Sequence, residues 1–378
     1  MTEGTYRPGL EGVVAAETSL SLVDGQNGRL IIAGFPLEDI AAKASFEEIC
    51  YLLWQGEPPH RPTLDEFKSS MAAFRVLPSA THSLLEQAAH HQAPPMDALR
   101  MAAATFDIDL GDVDDFTRAK AVAARVPPTV ATYWRYLNGQ EPIPPSPTLG
   151  RSANYLYMLT GTEPGPATVR ALETYLNTVA DHGLNASTFA ARVIIATQSD
   201  MVSAVTGAIG ALKGPLHGGA PGPALDMVFE IGTTDRAEEV IRAKLDNEER
   251  LMGFGHRVYK VRDPRADVLA AAAEKMFESE GDLALYNLAK SVEETALKLL
   301  EEYKPGRNLK TNVEFFTALL LHGIGLEIPL FTPTFAAGRV AGWIGHCLEQ
   351  QRTGRLIRPE SNYVGPTGRR WVPVDERR

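Results

Sequence analysis

Two cysteines, Cys50 and Cys347, are all that this chain of 378 residues contains. They stand far apart and in no ligand spacing, which excludes a disulfide framework and a zinc ribbon and fits a reducing cytoplasm. Its nine histidines form no H-E-x-x-H pair and no paired helical spacing, so neither a structural nor a catalytic metal is expected. Basic charge is also scarce. Against 47 Asp and Glu there are 37 Lys and Arg, a formal net charge of -10, and the pI lies near 5.5. This argues against nucleic acid or an anionic membrane as the main partner. An anionic substrate would have to be met by local arginines. No stretch approaches a membrane span, and the opening MTEGTYRPGLEG lacks a basic start followed by an apolar run, so a soluble, cytoplasmic protein is expected. Walker A is absent. GFGHRV lacks the third glycine of a dinucleotide loop, and GRSAN at 150–154 only approaches a nucleophile elbow.

What the chain does have is an ordinary globular composition, 44% hydrophobic and 22% charged, enough for a large core or for two domains. The one β signal lies near the N-terminus. Thr18 to Val23, the turn DGQNG and Arg29 to Ala33 read as a hairpin. Beyond Pro62 the pattern is helical. Thr63 can cap a helix through Phe74, Ser79 another through His90, and Asp115 opens a long segment that Pro127 and Pro128 should kink or break. An apolar helix is expected over Ala190 to Leu212, and an acidic stretch runs near Glu238 to Glu249. After Gly281, Leu285, Leu288, Val292, Ala296, Leu299 and Tyr303 recur at helical steps, with Glu293, Glu294 and Lys298 on the other face, until Pro305 and Gly306 stop the helix. GPLHGGAPGPA at 214–224 reads as a hinge. A softer boundary lies at 319–329, before another helix starting near Pro333.

Three histidines are set among residues too small to cover them: His182 in DHGLNAST, His217 in KGPLHGGA and His256 in MGFGHRVYKVRDPR. A histidine pressed between glycines can reach a ligand and exchange a proton near neutral pH. His60, His82, His90, His91, His322 and His346 read instead as satisfied surface or core residues. Arg265 in DPR, Arg339 in the apolar GRVAGW and Arg358 beside a proline suit carboxylates, since a buried guanidinium needs an anion. Glu314, in KTNVEFFTALLL, stands among Val313, Phe315, Phe316 and leucines. Such surroundings disfavour ionisation and strengthen the base once it is ionised. A base, proton donors and arginines suit proton abstraction beside a carbonyl, followed by carbon attack on an electrophile.

DHGLNAST, GPLHGGA, GFGHRVYKVRDPR, NVEFF, GRVAGWIGH and IRP occur in the order and near the intervals found in citrate synthases, and LVDGQNGRLIIAGFPLEDIA is similar to that family's opening. The chain therefore resembles the citrate synthase family, in its short bacterial and archaeal form, over nearly its whole length. The resemblance implies an all-α fold of two domains with a short N-terminal β-hairpin: residues 1–219 and 321–378 as a large helical domain, and 220–320 as a small one that closes over the site. It implies oxaloacetate and acetyl-CoA as substrates, with no permanently bound cofactor and no metal. His182, with the loop around Asn185, would hold the oxaloacetate carbonyl. His217 would stabilise the acetyl-CoA enol, and His256 would protonate the carbonyl oxygen under attack. Arg265, Arg339 and Arg358 would grip the carboxylates, the last reaching across a homodimer. Segment 249 to 256, with Gly253, Phe254 and Gly255, together with Lys260, Arg262 and Asn312, resembles the region that recognises coenzyme A.

Two departures stand out. The family's usual base is an aspartate in NVD, whereas NVE puts Glu314 there. LIIAG replaces a tyrosine-arginine pair common in relatives. The motifs are shared with 2-methylcitrate synthases, which would use propionyl-CoA, and a non-catalytic protein binding CoA esters or dicarboxylates is the rival of another class.

Overall fold

Apolar residues recurring every three or four positions bury one face of each helix, and helices dominate the molecule accordingly. The computed structural model describes residues 6–218, 221–255, 259, 261–280 and 283–377. Among these the chain is all-α apart from one small antiparallel sheet. Strand β1, Ser21–Asp24, pairs with β2, Arg29–Ile32, in the register Ser21↔Ile32. The turn is fixed by Asp24, whose Oδ1 accepts from the Asn27 N–H at 3.1 Å, and by Gly28 at φ 64°. A third strand, β3 (Phe35–Pro36), extends the sheet. Two residues, one of them proline, are too short a signal for a strand to be read from sequence. Gly28 has a packing role as well. A Cβ there would lie 2.7 Å from Val261 Cγ2, so the hairpin tip rests directly on the chain that follows Tyr259.

Several sequence expectations shift. The second expected helix runs Ser79–His90, with Pro78 rather than Ser79 at its cap, and the one before it starts at Arg61, with His60 rather than Thr63 at its cap. Pro62 falls in its first turn, where a missing N–H costs nothing. Ala190 to Leu212 is two helices, not one. Ala186–Ile195 and Met201–Leu212 are separated by a turn in which Gln198 takes φ 65°, and Asp200 caps the second by accepting from the Ser203 N–H at 2.7 Å. The prolines at 127 and 128 do not break their helix, which runs unbroken from Asp115 to Leu137. Pro127 leaves the Ala123 carbonyl without its helical donor, and Arg151 Nη2 supplies one at 3.0 Å while also donating to the Ala337 carbonyl at 3.0 Å.

The helix Leu283–Tyr303 follows the expected apolar steps. Glu293, however, does not lie on a solvated face. It is buried and accepts from Arg262 Nη1 at 2.7 Å, Lys290 Nζ at 2.7 Å and Thr311 Oγ1 at 2.6 Å.

The helix Phe331–Thr353 is the centre of packing, against Phe46–Gln55, Asp115–Leu137, Pro166–Val179 and Ala186–Ile195. It begins two residues before Pro333. Its glycines allow the approach: the Gly342 N–H donates to the Ala180 carbonyl at 3.0 Å, and a Cβ on Gly342 would come within 2.4 Å of that oxygen. From 221 to 323 the chain forms a further group of helices. Of these, Pro264–Glu280 packs both on Val313–Gly323 and back on Pro166–Val179. Among the described residues no single helix is long and apolar enough to cross a membrane.

Candidate active site

Five segments distant in sequence converge on one cavity of about 430 Å³. The loop after Pro166–Val179 contributes His182 and Asn185, and the chain after Met201–Leu212 contributes His217. Gly253 and Gly255 come from the loop before Pro264–Glu280, whose first turn brings Arg265. Asn312 and Glu314 open the helix Val313–Gly323, and Phe335 and Arg339 lie on the central helix.

The 253–255 and 310–312 segments pair back to back. Phe254 bridges Thr311, the Gly255 N–H donates to the Lys310 carbonyl at 2.7 Å, and the Asn312 N–H donates to the Gly253 carbonyl at 3.0 Å. Gly253 is required here: its φ is 89°, and a Cβ would sit 2.9 Å from the Phe315 ring. Asn312 then caps the next helix, accepting from the Glu314 N–H at 3.1 Å and donating to the Gly255 carbonyl at 2.9 Å. Glu314 thus enters the cavity from the first turn of a helix. Burial pushes its carboxyl above the ordinary glutamate range, and the Arg265 charge pulls against that rise. Its Oε2 is buried and, among the described residues, accepts no hydrogen bond.

His217 Nε2 lies 2.8 Å from Ser187 Oγ. The same hydroxyl accepts from Trp343 Nε1 at 3.0 Å and lies 2.8 Å from Asn185 Oδ1. Indole N–H can only donate, so this serine has one proton to share between Asn185 and His217. If it goes to Asn185, His217 must carry hydrogen on Nε2. In either arrangement the ring is neutral at pH 7, because burial first, and then the Arg339 charge, lower its pKa to about 4. Asn185 itself caps the helix Ala186–Ile195.

His182 Nε2 lies 3.0 Å from Tyr259 Oη. Arg265 is held by Asp263 through Nε–Oδ1 at 3.0 Å and Nη2–Oδ2 at 2.7 Å. Arg339, 1% exposed, donates from Nε to the Val179 carbonyl at 2.6 Å and lies 4.8 Å from the Phe335 ring centre. Burial lowers its pKa to about 10, so it remains a cation at neutral pH. The wall thus carries three guanidiniums, those of Arg250, Arg265 and Arg339, beside the Glu314 carboxylate and suits an anionic ligand despite the acidic molecule around it.

Not every candidate joins this wall. Phe254 is buried against Phe315, with ring centres 5.4 Å apart, and supports the loop from behind. Arg262 is engaged by Asp267 and Glu293 and does not line the cavity. Arg358 is exposed in the irregular tail. His256 and Lys260 lie outside the described residues. Single-sequence reasoning missed Ser187, Tyr259 and Trp343. Ser187 stands two residues after Asn185 inside the motif already singled out. Nothing in spacing marks the other two, since their partners come from far along the chain. Among the described residues no three metal-ligating side chains cluster.

Residues 9–360 match the family model described as citrate synthase, C-terminal domain. The chain is 41% identical to a citrate synthase of Haloferax volcanii, over 99% of this chain and 100% of that protein. It is 39% identical to a 2-methylcitrate synthase of Mycobacterium tuberculosis, over 95% and 90% respectively. A solved citrate synthase from Thermoplasma acidophilum, in ternary complex with carboxymethyl coenzyme A and oxaloacetate, superposes with a TM-score of 0.87 at 31% identity, covering 98% of this chain and 99% of that one.

Proposed function

The chain belongs to the citrate synthase family, and from that premise we propose that it condenses acetyl-CoA with oxaloacetate and hydrolyses citryl-CoA to citrate and CoA. One observation carries the reading: a neutral imidazole, His217, and a buried carboxyl with a raised pKa, Glu314, line the same cavity as three guanidiniums.

Each group has a task that its surroundings suit. Arg265 and Arg339 take the oxaloacetate carboxylates, and His182 with Asn185 its carbonyl end. Arg358 completes the grip from the second subunit of a homodimer. Glu314, ionised among apolar neighbours, removes a proton from the thioester methyl group. His217, neutral, hydrogen-bonds the enol oxygen that develops, which avoids placing a second cation beside Arg339. The methyl carbon then bonds to the oxaloacetate carbonyl carbon as His256 delivers a proton to its oxygen. Water cleaves the resulting thioester and releases the thiol of CoA. Closure of residues 220–320 over the large domain excludes water until condensation is complete. The CoA chain passes the wall formed by Gly253, Gly255 and Asn312, and Lys260 and Arg262 are the basic residues assigned to its recognition. We place the reaction in the cytoplasm, where the buried thiols Cys50 and Cys347 remain free.

Propionyl-CoA is the second reading, supported by the 39% identity to a 2-methylcitrate synthase. A pocket separates substrates differing by one methylene by only about 1–3 kcal/mol. The test is the initial rate of thiol release from acetyl-CoA and from propionyl-CoA, each with saturating oxaloacetate and with none. Faster oxaloacetate-dependent release from acetyl-CoA supports citrate synthesis, and a propionyl-CoA preference moves the assignment to methylcitrate. No release from either favours a binding protein. Glu314→Gln is expected to abolish exchange of the acetyl methyl protons, while Glu314→Asp keeps measurable turnover, lowered on the order of a hundredfold by a misplacement of about 1 Å. Near-normal exchange in the Gln variant removes Glu314 from the role.

A further inference from the structure

Tyr259 is 3% exposed and does not line the cavity, yet two residues it touches do. Its Oη lies 3.0 Å from His182 Nε2, with the rings edge to face at 5.7 Å. Its ring also stands 5.7 Å from the guanidinium centre of Arg265. Burial raises the phenol pKa, so the hydroxyl keeps its proton throughout the physiological range. Two residues on, Val261 is backed by the tip of the β1–β2 hairpin, which packs against it at Gly28.

A buried tyrosine needs a partner for its hydroxyl, and any nearby carbonyl would serve. Here a partner is the imidazole that the proposed function assigns to the oxaloacetate carbonyl, and the ring face is given to an arginine assigned to a carboxylate. The two contacts hold groups from different parts of the chain, one on the loop after Pro166–Val179 and one in the first turn of Pro264–Glu280. We propose that Tyr259 is a positioning residue for oxaloacetate, orienting His182 through its hydroxyl and Arg265 through its ring so that both ends of the substrate are met by groups already in place. This rests on the citrate synthase reading of the cavity. It makes no claim on the thioester, so its effect is confined to the keto acid.

Tyr259→Phe separates the two contacts, since it removes the hydroxyl and keeps the ring. With full-length enzyme, Tyr259→Phe is expected to raise the KM for oxaloacetate about tenfold, the worth of one hydrogen bond made in a buried site. The KM for the thioester and kcat at saturating oxaloacetate should stay within about twofold. Tyr259→Leu, which also removes the ring, is expected to raise the oxaloacetate KM further. A tyrosine that only fills the core would lower thermal stability or the active fraction and leave that KM unchanged. Calorimetric titration with oxaloacetate alone keeps the proposal apart from the reading beneath it. Wild type that binds and turns over, with a Phe variant of unchanged oxaloacetate affinity, overturns the role of Tyr259 only. Wild type that neither binds oxaloacetate nor releases thiol overturns both.

Discussion

His217 and Glu314 share a wall and respond to it in ways that follow from their charge types. Burial disfavours whichever form is charged, so the imidazole loses its proton more readily and the carboxyl holds its proton longer. For His217 this has a consequence for stability. Its folded pKa is about 4, below the ordinary value near 6.5 of an exposed histidine. The unfolded chain therefore takes up a proton between these values that the folded chain refuses. The stabilisation is fully present above the unfolded pKa and is lost as pH falls toward 4. Urea unfolding of wild type and His217→Gln should show the stability of wild type relative to the variant falling by about 2 kcal/mol between pH 7 and pH 4.5. A constant difference across that range means that His217 keeps an ordinary pKa in the folded protein. The glycines around His182 and His217 marked both residues in the sequence, because small neighbours imply access. Ser187, which fixes His217, could not be weighed in that way. Its importance comes from Trp343, 156 residues further along the chain, and from Asn185, and a single sequence does not show which residues meet.

At the scale of elements, the reading failed wherever a local rule was answered by a distant group. Pro127 and Pro128 should break a helix, but the Arg151 guanidinium supplies the donor that Pro127 lacks. Glu293 falls on the polar side of a helical wheel, but Arg262, Lys290 and Thr311 cover it. Where the local rule was strong enough alone, as with the Asp24–Gly28 turn or the stop at Pro305 and Gly306, the sequence sufficed. The central helix shows how an element sets the site. Gly338 and Gly342 bring it against the end of Pro166–Val179, and an added Cβ on Gly342 would meet both the Ala180 carbonyl, at 2.4 Å, and Asp181 Oδ1, at 2.5 Å. Asp181 is fully buried, lies 3.2 Å from His346 Nε2, and directly precedes His182. Backbone cannot yield as a side-chain tip can, so Gly342→Ala must move either the helix or the loop. We expect a loss of about 1–3 kcal/mol in urea unfolding, accompanied by a raised oxaloacetate KM because the displaced loop carries His182. A loss of stability with unchanged KM would show that the central helix absorbs the strain.

For the whole molecule, the question is how an acidic chain of net charge -10 assembles a site for a dianion. The guanidiniums of Arg250, Arg265 and Arg339 on the cavity wall do not act alone: Arg265 is paired with Asp263, and Glu314 feels the charges of Arg265 and Arg250. A further cation would shift the balance, and Arg358, exposed in the tail, is not placed there by its own chain. If it acts on the partner's cavity, each site takes Glu314 from one chain and Arg358 from the other. Co-expression of Glu314→Gln and Arg358→Ala chains with different affinity tags tests this. Random pairing makes about half of the dimers hybrid, and each hybrid holds one site with both defects and one with neither, so about a quarter of all sites should recover full activity. The recovered rate should follow the fraction carrying both tags. If Arg358 serves its own chain instead, every site in the hybrid keeps one defect, and the doubly tagged fraction stays as inactive as the two parent variants.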